Sequence, residues 1–276
     1  MRSVVVTGAA GGLGSATARQ LANNGWSVFA ADLESDVLER LGHRRGIEAV
    51  VTDVTDQASV AALADTVLVA TGGHLDAVVN FAGVLEIGSM AEMPEAPLRR
   101  VVDINVFGTW RVNRTLFDQL VAARGRIVNI SSETGWQSGG PFNGAYALSK
   151  HAIEAYSDSL RREASLVGVR VVKVQPGPFR TSMVESVERR FAAASAASRW
   201  FGAELRRTGE LAAGEEGRAH PPVELAEVVY EALTARRPKV AYSVYPARSR
   251  VWLERMPTRL ADAAIKAALT GRRRRR

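Results

Sequence analysis

The sequence predicts an α/β fold, a doubly wound parallel sheet of about seven strands with helices on both faces. Three observations predict it. Short β-branched strands alternate with helix-patterned segments along most of the chain, a glycine-spaced turn follows the first strand directly, and the polar and glycine motifs fall at strand C-terminal ends. A βαβα alternation makes successive strands parallel and places ligands in the crevice beyond their C-termini.

The elements follow in order. Arg2 to Val6 is a β-branched run that reads as a buried strand, and Gly12 to Asn24 as a helix with Leu13, Ala16, Thr17 and Leu21 on one stripe. Between them lies Thr7-Gly8-Ala9-Ala10-Gly11-Gly12-Leu13-Gly14. Its glycines let the backbone turn sharply and let a pyrophosphate approach the helix N-terminus, where unpaired N–H groups favour negative charge. A second strand, Trp26 to Ala31, ends at Asp32. An acid there accepts hydrogen bonds from a ribose 2′-hydroxyl and repels a 2′-phosphate, which predicts NAD rather than NADP, with Arg44 and Arg45 a few residues on as a complication. A helix near Asp36 to Leu41, a strand Glu48 to Thr52, a helix Gln57 to Ala70 and a strand Leu75 to Asn80 continue the pattern. A long helix over Ala96 to Ala123, a strand Arg126 to Ile130, a helix Gly144 to Leu166 and a strand Val169 to Gln175 complete it, and the whole is a Rossmann-type dinucleotide-binding arrangement.

Composition agrees with a single dinucleotide-binding and catalytic domain over residues 1–271. At 276 residues, 46% hydrophobic and 24% charged, the chain can bury a full core without a second unit. The absence of cysteine excludes disulfides and thiolate chemistry. The apolar start is broken by the glycine turn and so is not a signal peptide, and no apolar run spans a bilayer; the expected location is the cytoplasm. Five of the +7 net charges are Arg272 to Arg276, read as a disordered basic tail, so the rest carries +2 and no nucleic-acid partner is expected. His43, His74, His151 and His220 have no ligand spacing, and no metal site is expected.

Tyr146 and Lys150 carry the chemistry. Four residues apart on a helix they share one face, so the ammonium is expected to favour the ionised phenol and make a group of pKa ~10 usable as an acid/base near neutrality. Asp53 closes the third strand, Asn80-Phe81-Ala82-Gly83 the fourth, Asn129-Ile130-Ser131-Ser132 the fifth, and Pro176-Gly177-Pro178-Phe179-Arg180-Thr181 follows the sixth.

With these motifs in this order, the chain resembles the short-chain dehydrogenase/reductase family, in its short single-domain branch, over about residues 3 to 181. The resemblance implies Tyr146 as general acid/base, Lys150 as the group that lowers the phenol pKa and binds the nicotinamide ribose, Ser132 as donor to the substrate oxygen, and Asn105 as holder of a water behind Lys150 that completes a proton relay. It also implies cofactor contacts from Gly8, Gly12, Leu13 and Gly14 at the pyrophosphate, Asp32 at the adenosine ribose, and Asp53 and Val54 at the adenine. Asn80, Ala82 and Gly83 would lie beside the ribose, and Pro176, Gly177 and Thr181 at the nicotinamide edge. Two departures stand out. The stretch from Ser132 to Tyr146 is about one residue longer than in many relatives, which leaves Ser131 as the fallback, and Phe81 replaces a more usual asparagine. Asp53 and Thr181 also read as helix caps.

Residues 182–222, with Met183, Val187, Phe191, Trp200, Phe201 and Leu205, read as a helical lid over the crevice, joined by apolar walls from Trp136, Phe142 and Leu85. A hydrophobic secondary alcohol or its ketone is the expected substrate. Around Glu154 to Glu163 the chain is similar to the retinol and 17β-hydroxysteroid dehydrogenase group, which implies the same. Beyond lie a helix Val223 to Ala235, a strand Lys239 to Ser243 and an amphipathic helix Arg248 to Leu269, whose Trp252, Leu253, Met256, Leu260, Ala264 and Ile265 are expected to be buried against the core or a subunit rather than to touch a membrane surface with the terminal arginines. The resemblance implies a homodimer or homotetramer through the helices around 96–123 and 144–166. The alternative function is a dinucleotide-binding regulatory protein without turnover.

Overall fold

The structure, a computed structural model, describes residues 1–33, 35–216 and 219–270. The basic run Arg272 to Arg276 lies outside the described residues. β1 (Ser3–Thr7) and α1 (Gly12–Asn23) open the chain, followed by β2 (Ser27–Asp32), α2 (Asp36–Gly42), β3 (Ile47–Val51), α3 (Gln57–Thr71) and β4 (Ala77–Asn80). Next, α4 (Glu95–Val102) runs through a π-helical segment (Asp103–Gly108) into α5 (Thr109–Thr115) and α6 (Phe117–Ala123). After β5 (Arg126–Ile130) come a 3₁₀ turn (Glu133–Gly135), α7 (Gly144–Ser165) and β6 (Arg170–Pro176). The remainder is α8 (Ser182–Glu185), α9 (Val187–Ala197), α10 (Gly202–Glu216), α11 (Pro222–Thr234), β7 (Ala241–Val244), α12 (Arg248–Glu254) and α13 (Thr258–Thr270).

The seven strands form one parallel sheet in the order β3-β2-β1-β4-β5-β6-β7. Alternation along β1 explains why it is apolar on both sides: Val4 and Val6 pack with Ala18 and Leu21 of α1 and Val229 of α11, while Val5 packs with Leu63 and Val67 of α3 and Leu116. Each such fully buried side chain contributes about 1.5–3 kcal/mol. The register brings the motifs to one edge. Thr7 pairs with Ala31 and with Asn80, Asn80 with Asn129, and Asp32 with Val51, so the strand C-termini align along the crevice.

Two helices expected to be continuous are broken. The one over 96–123 passes through the π segment, where a Cβ on Gly108 would stand 2.8 Å from the Val54 side chain; the extra residue in that turn lets the helix seat on the loop after β3. It breaks again at Leu116, whose ψ of 1° is not helical. The C-terminal helix divides at Pro257, which lacks a backbone N–H and disfavours helix at Met256. In α13 no residue is buried, and Trp252 and Leu260 are exposed, contrary to the expected burial.

Candidate active site

The crevice holds a cavity of about 340 Å³. Gly8, Gly12, Leu13, Gly14, Asp32, Asp53, Val54, Ala82, Gly83, Pro176 and Thr181 line it, as do Tyr146 and Lys150. Asn80, Asn105, Ser132 and Gly177, also expected at the site, are not among the lining residues.

The glycine turn fits a nucleotide diphosphate. Gly8 has φ +66°, and a Cβ on it would stand 2.6 Å from the Ala82 nitrogen; a Cβ on Gly14 would stand 2.2 Å from the Gly8 carbonyl oxygen. Side chains at either position would fill the cradle. No side chain caps α1 and no acid lies in its first turn, so the first N–H groups remain available to an anion. Asp32 is held rigidly: one carboxylate oxygen accepts from the Ala10 N–H (2.7 Å), the other from the Leu33 N–H (2.8 Å). Arg44 and Arg45 follow α2 before β3 begins, at the opposite end of the strands. Four strand residues, about 13 Å, separate that edge from Asp32.

The two residues that also read as caps both turn out to bind locally. Asp53 accepts from the N–H and hydroxyl of Thr55 (2.8 and 2.7 Å), and the N-cap of α3 is Asp56. Thr181 caps α8 by accepting from the Val184 N–H (3.3 Å) while its methyl group packs on Gly12, where a Cβ would stand 3.1 Å from it.

Asn80 is turned inward. Its Nδ2 donates to Asn113 Oδ1 (2.7 Å) and Asn129 Oδ1 (2.9 Å), Asn129 donates to Ser157, and Asn113 to the Tyr156 hydroxyl. This buried network ties β4, β5, α5 and α7 together and holds the strand ends that frame the cavity. Asn105 is likewise a strap. Its side chain accepts from the Val84 N–H and donates to the Val84 carbonyl and to Ser149 Oγ, at 2.8–3.0 Å, so only its backbone carbonyl, contacted by the Thr109 hydroxyl, is left for other duties. The Gly177 N–H donates to the Val244 carbonyl and anchors the C-terminal segment.

Tyr146 stands near the Ser132 side chain, whose hydroxyl accepts from the Thr134 N–H at 3.2 Å. Ser131, the fallback, does line the cavity, and its Oγ donates to the Lys150 carbonyl at 3.5 Å. Burial pushes the Tyr146 phenol up to about 12; the Ser132 hydroxyl lowers it, and the Glu133 carboxylate adds to the rise. Burial brings Lys150 down to about 8, opposed by Glu154. The expected ionisation of the phenol by Lys150 is therefore not found here. Lys150 Nζ lies 5.5 Å from the ring centroid and donates to the Ile130 carbonyl at 2.9 Å, so desolvation outweighs its field.

Glu133 belongs to no motif in the sequence. It is buried, accepts from the Ala247 N–H (2.7 Å) and faces Arg250 at 3.9 Å. Those partners lie over a hundred positions away, and no local pattern announces them. The asparagine network has the same character, although Asn80 and Asn129 closing neighbouring strands was a signal.

Fold and crevice together fit a dinucleotide-binding protein of Rossmann type, with a phenol and an ammonium in the cavity wall. The profile of the short chain dehydrogenase family matches residues 2–191. Oxidoreductase UcpA of Escherichia coli (strain K12) is 37% identical over 196 residues, covering 68% of this chain and 73% of its own length. Retinol dehydrogenase 7 of Mus musculus is 37% identical over 183 residues, 65% of this chain and 57% of its own. A crystal structure of an actinorhodin polyketide ketoreductase variant with NADPH superposes with a TM-score of 0.76 at 26% identity, covering 88% of this chain and 95% of the other. The chain belongs to the short-chain dehydrogenase family.

Proposed function

We propose that the protein interconverts a hydrophobic secondary alcohol and its ketone with NAD, within a single domain over residues 1–271. The observation that carries this reading is Tyr146 with Lys150 Nζ 5.5 Å from its ring, both lining the same cavity as the glycine turn.

When bound, the dinucleotide supplies or accepts the hydride. Tyr146 gives its proton to the carbonyl oxygen as the hydride arrives at carbon, and in the reverse direction takes the hydroxyl proton as hydride leaves. Ser132 donates to the same oxygen and stabilises its developing charge. Lys150 holds the ribose and returns a proton to Tyr146, and Asn105, through its backbone carbonyl, orders the water beyond. With the phenol pushed up to about 12, Tyr146 keeps its proton at neutral pH.

The rigid Asp32 carboxylate, with the arginines at the other strand edge, supports NAD over NADP. The relative that binds NADPH weighs on the other side. Met183 in the cavity wall, buried Leu85 and the Phe142 and Phe201 rings 5.9 Å apart support an apolar substrate, as does the name of the retinol dehydrogenase relative. No described helix is long and apolar enough to cross a membrane.

Two measurements test the reading. Titration with NADH and NADPH in parallel, followed by nicotinamide fluorescence, gives tighter NADH binding, and Asp32→Ala narrows the difference; tighter NADPH binding would remove Asp32 as the discriminator. Tyr146→Phe lowers kcat about 10²–10⁴-fold with dinucleotide affinity unchanged. An unaltered kcat would remove Tyr146 from the chemistry, and dinucleotide binding without turnover of any carbonyl would favour a regulatory protein.

A further inference from the structure

The C-terminal helices are amphipathic, cationic and mostly unburied. From Ala247 to Arg276 there are ten Arg and Lys against two carboxylates, a net +8, whereas all preceding residues sum to −1. Among the described residues, Arg255, Arg259 and Lys266 pair with no carboxylate. In α13 the half-buried stripe Ala261, Ile265 and Leu269 recurs every four residues, and α13 packs on α10, where Arg207 donates to the Ala268 carbonyl. A second apolar arc, Leu260, Ala264 and Ala267, stays exposed. Arg259 and Lys266 lie roughly a third of the way round from it. Trp252 is 63% and Leu260 57% exposed.

We infer that α12 and α13 form a peripheral docking surface for an anionic lipid bilayer. An indole and a leucine held in water beside unpaired cations match the interfacial pattern, in which apolar groups enter the headgroup boundary and arginines meet anionic headgroups. A second copy of this chain fits poorly, because a twofold contact would set +8 against +8. Nucleic acid would use the arginines but leave Trp252 and Leu260 without an apolar phase. The placement adds a reason. Glu254 of α12 accepts from the N–H and hydroxyl of Ser138, in the loop that follows Ser132, and α13 rests on the lid helix α10. A bilayer on this surface lies beside the substrate end of the cavity. That last step rests on the proposed lipophilic substrate; the docking surface itself does not.

The test is flotation of the full chain with vesicles of phosphatidylcholine alone and with about a third phosphatidylglycerol, at low and high salt. Binding to the anionic vesicles only, weakened by salt, is expected. Removal of Arg272 to Arg276 weakens it at least tenfold. Trp252→Ser with Leu260→Ser also weakens it and removes the blue shift of tryptophan fluorescence, while dinucleotide binding, measured in parallel, stays intact. Equal binding to both vesicles, or affinity unchanged in either variant, overturns the inference. So does salt-dependent binding to duplex DNA without vesicle binding, or burial of Trp252 in a dimer. Because vesicle binding requires no turnover, its failure and failure of the oxidoreductase reading are seen separately.

Discussion

At the scale of single residues, Tyr146 and Lys150 are displaced in opposite directions by the same burial, and this fixes the pH behaviour. The phenol, ordinarily near 10, is pushed up to about 12, as is Tyr156, also chiefly by burial. Each favours the folded state fully below about pH 10, and that contribution is lost as pH rises from about 10 to 12. Lys150, brought down from 10.5 to about 8, disfavours the folded state while charged, so its effect is a gain in stability as pH rises from about 8 to 10.5. Denaturant unfolding across this range is expected to show the decline above pH 10 made shallower in Tyr146→Phe. Glu133 adds a second expectation. Glu133→Gln keeps an acceptor for the Ala247 N–H but removes the charge that helps hold the phenol protonated. The Tyr146 step in phenolate absorbance, isolated by difference from Tyr146→Phe, moves to lower pH. A step that stays in place would mean that the carboxylate only docks the C-terminal segment.

At the scale of elements, the lid is fastened by side chains outside it. Glu92 accepts from the N–H groups of Arg199 and Trp200 (2.9 and 3.0 Å) and from the Ser198 hydroxyl, fixing the turn between α9 and α10. Arg190 of α9 donates to the Leu85 carbonyl at 2.7 Å. Glu92→Ala should therefore leave melting temperature nearly unchanged while proteolysis around residues 198–202 quickens and KM rises with kcat little altered; equal proteolysis would place the fastening elsewhere. These fastenings were not legible in the sequence, because Glu92 meets its partners only after a hundred residues have folded between them. What was legible had a short-range cause. The glycine turn, Asp32 at a strand end and the Tyr146/Lys150 spacing follow from local backbone geometry and helix period, whereas the π segment depends on Gly108 meeting Val54, and the inward turn of Asn80 on Asn113 and Asn129 arriving from other elements. Pro257 is a visible breaker inside the amphipathic stretch, and its missing N–H overrides the helical period that runs through it.

At the scale of the whole molecule, two exposed faces differ in kind. The C-terminal face is cationic, while Phe107 on the π segment and Trp110 on α5, three residues apart and 51% and 42% exposed, form an aromatic face. Arg111 and Arg114 lie over these rings, 6.0 and 5.5 Å from the centroids, and keep them oriented. Without a concentrated charge, this face can meet its own copy, and the helices expected to form the oligomer are those that carry it. Replacing Phe107 and Trp110 together by glutamate places like charges opposite one another in a twofold contact and removes the two largest apolar anchors. Sedimentation equilibrium should then fall to the mass of a single chain, with NADH binding retained because neither side chain lines the cavity. A variant that keeps the parent's oligomeric mass would move the subunit interface off these helices.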